Sequence, residues 1–164
     1  MLKQGDYIYY ANSGVCRIDT IGTLDFVDNE EEYYSMSVLH SPFHEQLYVK
    51  VSSGADRIRP LLNETQAQQL IDQIDRIPSI PGVTERNKER LYQNMIAEGN
   101  CKNCLKVIRT INRRNHERKS RGLSPLSAEQ KYLSKATALA SEELSHALDV
   151  AYEHMEKWLG EVLC

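Results

Sequence analysis

The chain of 164 residues lacks the motifs and segments on which catalysis and membrane insertion usually depend. It contains no Gly-rich phosphate loop, no dinucleotide-binding fingerprint, no HExxH motif and no G-x-S-x-G motif. We therefore expect no catalytic residue, no cofactor and no small-molecule substrate. No run of 18 apolar residues occurs, and the opening residues lack the basic and apolar regions of a secretory signal. These absences predict a cytoplasmic protein without a membrane partner.

Residues that bind metals or form disulfides are also scarce. The cysteines, too few and too scattered for a disulfide framework, are Cys16, Cys101, Cys104 and Cys164. The C-x-x-C pair of Cys101 and Cys104 has no second pair to complete a four-ligand zinc site, and the five histidines are dispersed. We therefore expect reduced thiols and no metal, with Cys101 and Cys104 as small buried side chains. The only tryptophan, Trp158, is predicted to be a core residue.

Positive charge is concentrated in one stretch of the chain. The whole chain has a formal net charge of -3, but residues 102–121 hold eight basic residues and one acid, a net charge of +7. We call this stretch the basic segment, and its basic residues are Lys102, Lys106, Arg109, Arg113, Arg114, Arg118, Lys119 and Arg121. On a helix the first four share one stripe, and a second stripe lies beside it. Apolar residues such as Leu105, Ile108 and Ile111 occupy the opposite face, so the sequence predicts a helix that turns basic stripes to solvent.

A basic surface of this kind attracts polyanions, nucleic acid first among them. The alternative interpretation is a solvated charged face that has no partner. Solvated faces usually interleave charges of both signs, whereas Glu117 is the single acid of the basic segment. The rest of the chain is acidic, which would limit non-specific coating of a polyanion and let the basic segment orient the protein.

The first part of the chain, residues 1–62, is predicted to be β structure. Short β-prone or alternating runs are separated by turn signals such as Asn12-Ser13-Gly14. The predicted strands cover Tyr7 to Tyr10, Val15 to Phe26 (one long strand or two, with a bend at Gly22), Tyr34 to Val38, Leu47 to Val51, and Arg57 to Leu61. Short strands in this arrangement favour a small antiparallel barrel.

The remainder, residues 63–164, is predicted to be entirely helical. Asn63 is the expected N-cap of a first helix, and Thr84 is the expected cap of a second. The basic segment forms the third helix, and Ser127 to Gln130 resembles a capping box for one or two more. The predicted fold class is α+β, with an antiparallel β-barrel domain over residues 1–62 and an all-α domain over residues 63–164.

These features, taken in order, resemble the CarD/CdnL family of bacterial transcription regulators, whose N-terminal module also occurs in transcription-repair coupling factor. The resemblance is carried by Lys3 to Tyr10, Ser13-Gly14-Val15, Leu47 to Val51, Asn87 to Gly99, Val107-Ile108-Arg109, Arg113-Arg114, Gly122-Leu123-Ser124, Ser127-Ala128-Glu129 and Lys131 to Ala136. No single motif is diagnostic, but the ordered set covers nearly the whole chain.

The resemblance implies a Tudor-like barrel that binds the β subunit of RNA polymerase by adding strand to strand at a barrel edge. The family has an arginine on that strand where this chain has Lys50, which our alternation turns outward beside Tyr48. A second family arginine matches Leu24. We expect Leu24 and Phe26 to offer apolar contact to an added strand instead, although a core position for Phe26 is the alternative.

The resemblance also implies a helical domain that contacts promoter DNA at the upstream edge of the transcription bubble, without reading sequence. The family's tryptophan wedge, which precedes the Ser or Thr at the start of the second helix, matches Val83 before Thr84. Arg86 and Lys88 match basic family positions, and Glu85 replaces a basic one. The predicted DNA-binding residues are Val83, Thr84, Arg86, Lys88, Lys102, Lys106, Arg109, Arg113, Arg114 and Arg118.

Two functional hypotheses follow. The first is a transcription regulator that binds the polymerase β subunit and promoter DNA and changes the stability of the open complex. The second is an adaptor on RNA polymerase whose basic helix meets an acidic protein surface and never contacts DNA. No group of residues supports an enzyme.

Overall fold

The computed structural model describes residues 1–41 and 43–164, which form two compact units, Met1–Leu61 and Leu62–Cys164. The first unit contains strands β1 (Tyr7–Tyr10), β2 (Gly14–Gly22), β3 (Tyr33–Val38), β4 (Gln46–Lys50) and β5 (Ile58–Pro60). They pair antiparallel in the order β4-β3-β2-β1-β5, and the sheet is curled into a half-barrel. Within the described residues, β4 and β5 are therefore the two edge strands.

Alternate residues of the strands build the core of this first unit. Ile8, Cys16, Ile18, Met36 and Val49 are buried together in one cluster. In β4 the neighbouring positions Gln46, Tyr48 and Lys50 are exposed, whereas Tyr9 and Val15 on β1 and β2 are buried as well. The period-2 pattern predicted for the third and fourth strands is confirmed by this burial.

A bulge in β2 helps to curl the sheet. Ile18 pairs with Met36 and Thr20 pairs with Ser35, so Asp19 is an extra residue without a counterpart on β3. An extra residue of this kind bends its strand and increases the local twist. Arg17 and Ser37 both donate hydrogen bonds to the Asp19 carboxylate and thereby hold the bulge in place.

The second strand is shorter than the sequence suggested. It ends at Gly22, which pairs with Tyr33, the first residue of β3. Beyond that point β3 offers no partner, and the chain enters a turn in which the Val27 amide donates to the Leu24 carbonyl at 3.3 Å. The prediction of a strand that reaches Phe26 is therefore wrong, and Leu24 and Phe26 lie on a loop.

The second unit contains five α-helices around one core. They are α1 (Glu64–Asp72), α2 (Lys88–Ala97), α3 (Cys101–Ser120), α4 (Ser127–Leu148) and α5 (Tyr152–Val162), with a 3-10 turn at Ile74–Arg76 after α1. The α3 side chains predicted to face the core are all buried, and Trp158 is half-buried against the same core. Across the described residues, no helix combines the length and apolar character needed to cross a bilayer.

A side-chain cap fixes where α1 begins, and side-chain hydrogen bonds shape the turn before α2. Asn63 and Gln66 form a reciprocal capping box at the start of α1, as predicted for Asn63. Thr84 and Asn87 exchange hydrogen bonds of 2.7 and 3.2 Å in the turn that leads into α2. The predicted N-cap at Thr84 is wrong, because α2 begins at Lys88 and its N-cap residue is Asn87. The predicted cap at Ser127 is wrong, because α4 already includes Ser127 and its N-cap position, Leu126, has no side-chain acceptor.

Candidate functional site

The open edge of β4 is the first candidate surface. The Val38 amide donates to the Glu45 carbonyl and the Val51 amide to the Glu32 carbonyl, both at 3.0 Å. Because the two kinds of residue pair alternate along an antiparallel ladder, the backbone groups of Leu47 and Val49 also face β3. The backbone groups of the intervening residues, Gln46 and Tyr48, point away from β3, toward the edge of the sheet.

The side chains along this edge are exposed. Tyr48 stands outward, and the Phe26 ring contacts it edge to face with centroids 5.1 Å apart. Phe26 is 69% exposed, so the alternative of a buried Phe26 is wrong. Leu24 is half-buried in the same loop. The edge therefore combines open backbone groups with an exposed aromatic pair.

Lys50, at the end of the same strand, carries the positive charge of the edge. Its Nζ atom lies 2.5 Å from a Glu31 carboxylate oxygen, and both side chains are close to half exposed. The hydrogen bond with Glu31 raises the pKa of Lys50 above its ordinary value, so the ammonium is fully charged at neutral pH. An incoming carboxylate would have to compete with Glu31 for this ammonium.

The basic segment forms α3, but its basic stripe is interrupted. Arg109 is only 7% exposed, and its Nη2 atom donates to the Ile74 carbonyl at 3.0 Å. The prediction that Arg109 faces solvent is therefore wrong. The 3-10 turn after α1 packs over this part of α3 and supplies an acceptor for the guanidinium.

A charge cluster holds two further residues that the sequence assigned to DNA. The charge cluster consists of Glu85, Lys88, Tyr92, Arg114 and Glu129. At its centre Glu129, 1% exposed, accepts hydrogen bonds from Arg114 Nε at 2.9 Å and from the Tyr92 hydroxyl at 2.7 Å. A buried carboxylate requires such partners, because an unpaired charge in the interior is costly.

Lys88 belongs to this cluster and is also only 7% exposed. Its Nζ atom lies 2.6 Å from Glu85 Oε2 and 3.6 Å from Glu129 Oε1. The prediction of a solvent-facing Lys88 is wrong, because its ammonium turns toward these two carboxylates. Arg114 is about three-quarters buried and spans Glu129 and Glu85, the latter at 2.5 Å.

The pKa values in the cluster shift in the directions that these contacts require. Hydrogen bonds from Lys88 and then Arg114 lower the pKa of Glu85 below its ordinary range. The hydrogen bond to Glu129 raises the pKa of Arg114, although burial opposes it. Burial, followed by the hydrogen bond to Glu129, raises the pKa of Tyr92. At neutral pH the cluster therefore holds an ionised Glu85, a charged Arg114 and a protonated Tyr92.

The remaining predicted DNA-binding residues lie at the surface of the second unit. Lys102, Arg86 and Arg113 are exposed, and Lys106 is half-buried. Arg113 Nη1 donates to Ser79 Oγ at 2.8 Å, which steadies the guanidinium without hiding it. A stripe of Lys102, Lys106 and Arg113 therefore survives on α3, although Arg109 is missing from it.

Three other predicted positions have mainly local roles in the structure. Val83 is half-buried against the helical core, beside the exposed Thr84 that caps the turn before α2. Arg118 Nε donates to the Ser124 carbonyl at 2.8 Å, which secures the chain after α3. Thr84 is therefore exposed, whereas Val83 and Arg118 are half-buried.

Sequence reasoning missed Tyr92 and Glu129 altogether. Glu129 is 15 positions from Arg114 and 37 from Tyr92, and these residues belong to three different helices. No local spacing indicates such a group. The only available signal was an acidic residue in the first turn of α4, which has an ordinary explanation in the helix dipole.

Comparison with known protein families finds a matching family model for each of the two units. The model of the CarD-like/TRCF RID domain matches residues 2–62, and the model of the CarD C-terminal domain matches residues 82–160. Among curated proteins, none matches the chain. Both are domains of CarD-like transcription factors, which interact with RNA polymerase. The chain therefore belongs to the CarD-like family.

Proposed function

We propose that this chain is a transcription regulator that binds the RNA polymerase β subunit through β4 and promoter DNA through its helical unit. It contacts phosphates rather than bases, so its DNA binding is sequence-tolerant, and it changes the stability of the open complex. It acts in the cytoplasm by binding alone, without a cofactor. The observation that supports this most directly is the open backbone edge at Gln46 and Tyr48.

An added strand fits this edge in two ways. Main-chain hydrogen bonds to Gln46 and Tyr48 would supply affinity, because each of these residues turns both a donor and an acceptor outward. The Phe26–Tyr48 pair and Lys50 flank those groups and would supply specificity through an apolar contact and an ion pair. The partner strand should therefore carry an apolar residue and an acidic residue on the same face.

Proline at position 46 tests strand addition directly. The Gln46 amide points away from β3, so Gln46→Pro removes an outward donor and leaves the β3–β4 ladder intact. The control is Gln46→Ala, since both variants lose the hydrogen bond that the Tyr48 hydroxyl donates to Gln46. We expect Gln46→Pro alone to lose binding to the polymerase β lobe in a pull-down. Equal retention of both variants would contradict strand addition.

The DNA half of the proposal depends on the surviving basic stripe. Lys102 and Arg113 are eleven positions apart on α3, a rise of about 16 Å, so the two cations can reach different phosphates. Arg86 adds a further exposed cation just before α2. Weak interactions with phosphates suffice, because attachment to polymerase raises the local concentration of the helical unit at the promoter.

The adaptor remains a second candidate, and burial favours it. Lys88 and Arg109 are buried and Arg114 is paired with carboxylates, so fewer cations face solvent than the sequence suggests. Footprinting of a polymerase–promoter complex with and without the protein separates the regulator from the adaptor. The measured quantity is the protection of promoter DNA upstream of the bubble. Added upstream protection supports the regulator. An unchanged footprint with polymerase bound supports the adaptor.

A further inference from the structure

Glu85 covers the surface of the two cations in the charge cluster. Its two carboxylate oxygens divide between them, with Oε2 at 2.6 Å from Lys88 Nζ and Oε1 at 2.5 Å from Arg114 Nη2. Both contacts are short, charge-assisted hydrogen bonds. Solvent reaches Glu85, whose side chain is 68% exposed, but it barely reaches Lys88 behind it.

The cluster is neutral only while Glu85 is docked. Glu129 is buried and bonds Arg114 closely, but it lies 3.6 Å from Lys88 Nζ, beyond direct hydrogen-bonding distance. Lys88 and Arg114 together carry two positive charges and Glu129 carries one negative charge. Without Glu85 a single uncompensated positive charge would be left at a nearly closed surface, which requires another anion.

We propose that Lys88 and Arg114 form a phosphate-binding site that Glu85 occupies in the DNA-free protein and leaves when a DNA phosphate enters. This inference rests on the proposed DNA binding and adds a restraint to it. A phosphodiester group carries one negative charge and at least two acceptor oxygens, as a carboxylate does, so the exchange keeps the cluster neutral. Glu85 therefore acts as an intramolecular competitor that weakens DNA binding.

The position and the exposure of Glu85 allow this exchange. Glu85 lies between the exposed residues Thr84 and Arg86, in the turn that precedes α2, so it can swing toward solvent while Glu129 continues to hold Arg114. Because the Glu85 carboxylate itself is exposed, solvent screens its ion pairs, and a phosphate can therefore displace it. The lowered pKa of Glu85 keeps the competitor ionised throughout the neutral range.

The test compares Glu85→Gln with Glu89→Gln in the full chain. Glu89 is exposed one turn further along α2 and lies outside the cluster, so its variant measures the general effect of removing one acid. Fluorescence anisotropy with duplex DNA at several salt concentrations gives the affinity and its salt slope. We expect Glu85→Gln to bind duplex DNA about two- to fivefold more tightly than wild type. The slope of log K against log salt should be steeper by about one unit. Equal effects of the two variants would overturn the proposal.

A second measurement separates this inference from the proposed function. Inorganic pyrophosphate is titrated into wild type and Glu85→Gln while the Arg114 Nε resonance is followed by NMR. We expect the resonance to shift at lower pyrophosphate concentration in Glu85→Gln, and an identical response in both proteins would refute the competitor role. If neither protein binds duplex DNA while the pyrophosphate response differs, the anion site stands and the proposed DNA binding fails.

Discussion

Arg109 Nη2 donates a hydrogen bond to the backbone carbonyl of Ile74, 3.0 Å away and 35 positions earlier in the chain. This bond ties α3 to the 3-10 turn after α1 and explains why a cation lies in the middle of an apolar contact. Arg109 thus supports the fold, whereas Lys102 and Arg113 on the same stripe are exposed.

The role of Arg109 predicts lower stability with unchanged DNA binding. Arg109→Met keeps the apolar length of the side chain but leaves the Ile74 carbonyl without this donor. We expect the free energy of unfolding, measured in urea, to fall by about 1–3 kcal/mol. The salt dependence of DNA binding should stay as in wild type. A shallower slope in folded Arg109→Met would show that this arginine does reach a phosphate.

The exposed members of the stripe should behave in the opposite way. Arg113→Ala and Lys102→Ala each remove a surface cation that the core does not use. Each should reduce the slope of log K against log salt by about 0.9 for every phosphate that the variant no longer neutralises, with unfolding midpoints close to wild type. Lys135→Ala removes the same charge from the exposed part of α4 and serves as the control. Identical slopes in all three variants would argue against a specific DNA face on α3.

Lys50 offers a charge test of the β4 edge. Lys50→Glu reverses the charge beside Tyr48 and places a carboxylate near Glu31. We expect it to reduce binding to the polymerase β lobe by at least roughly tenfold, because an acidic partner residue would meet like charge. Glu31→Gln, which releases Lys50, should leave binding unchanged or strengthen it. Undiminished binding of Lys50→Glu would exclude this end of the edge from the interface.

Two tyrosines, the buried Tyr92 in the charge cluster and the half-buried Tyr152 outside it, predict a loss of stability at alkaline pH. The pKa of Tyr92 is raised by burial and by its bond to Glu129, and the pKa of Tyr152 is raised first by burial and then by Glu156. The unfolded chain releases these protons near pH 10 and the folded chain only at higher pH, so stability falls as pH rises above about 10. Each tyrosine adds up to about 1.4 kcal/mol per pH unit to this fall.

Tyr92→Phe should therefore flatten the dependence of the unfolding free energy on pH between about 10 and 12. At neutral pH the same variant should lose about 1.5–3 kcal/mol, because a hydrogen bond to a charged group disappears. The double variant Tyr92→Phe/Tyr152→Phe should be the flattest of the series. An unchanged alkaline slope in Tyr92→Phe would mean that its hydroxyl titrates alike in both states.

Thiol chemistry should distinguish one cysteine from the other three. Cys164 is exposed, whereas Cys16, Cys101 and Cys104 are buried. In native protein a thiol-specific reagent should label one group rapidly and the remainder only on unfolding, since access controls the reaction. Cys164→Ser should abolish the fast phase. Rapid labelling of a second thiol would show that the core around Cys16, or the core around Cys101 and Cys104, opens readily.

Patterns within one element were sufficient to predict most of the fold. The period-2 alternation around Val49 and the helical spacing around Ile108 reflect burial on one side of a single strand or helix. Both are therefore visible in a short window of sequence. The end of β2 was mispredicted at Leu24 and Phe26, because the length of a strand depends on where its partner begins.

The candidate sites were predicted less well, and for a physical reason. The side of α3 on which Arg109 lies follows from its spacing, but its burial depends on a turn 35 positions away. Lys88 was assigned to DNA because it matches a basic family position, and its proximity to Glu129 on α4 is not visible in a short window of sequence. Charge counts along a sequence measure what is present, whereas the charge available to a ligand is what remains after internal pairing.

The alternation along β4 divides the strand between two evolutionary constraints. Leu47 and Val49 are constrained by the packing of their own unit, whereas Gln46, Tyr48 and Lys50 would be constrained by the strand that we propose to pair with β4. Substitutions at Leu47 and Val49 that preserve core volume would leave recognition of the proposed partner unchanged. Substitutions at Gln46, Tyr48 and Lys50 could compensate for sequence changes in that partner without disturbing the fold. Under the proposed strand addition, stability and partner choice can therefore evolve independently on one short strand.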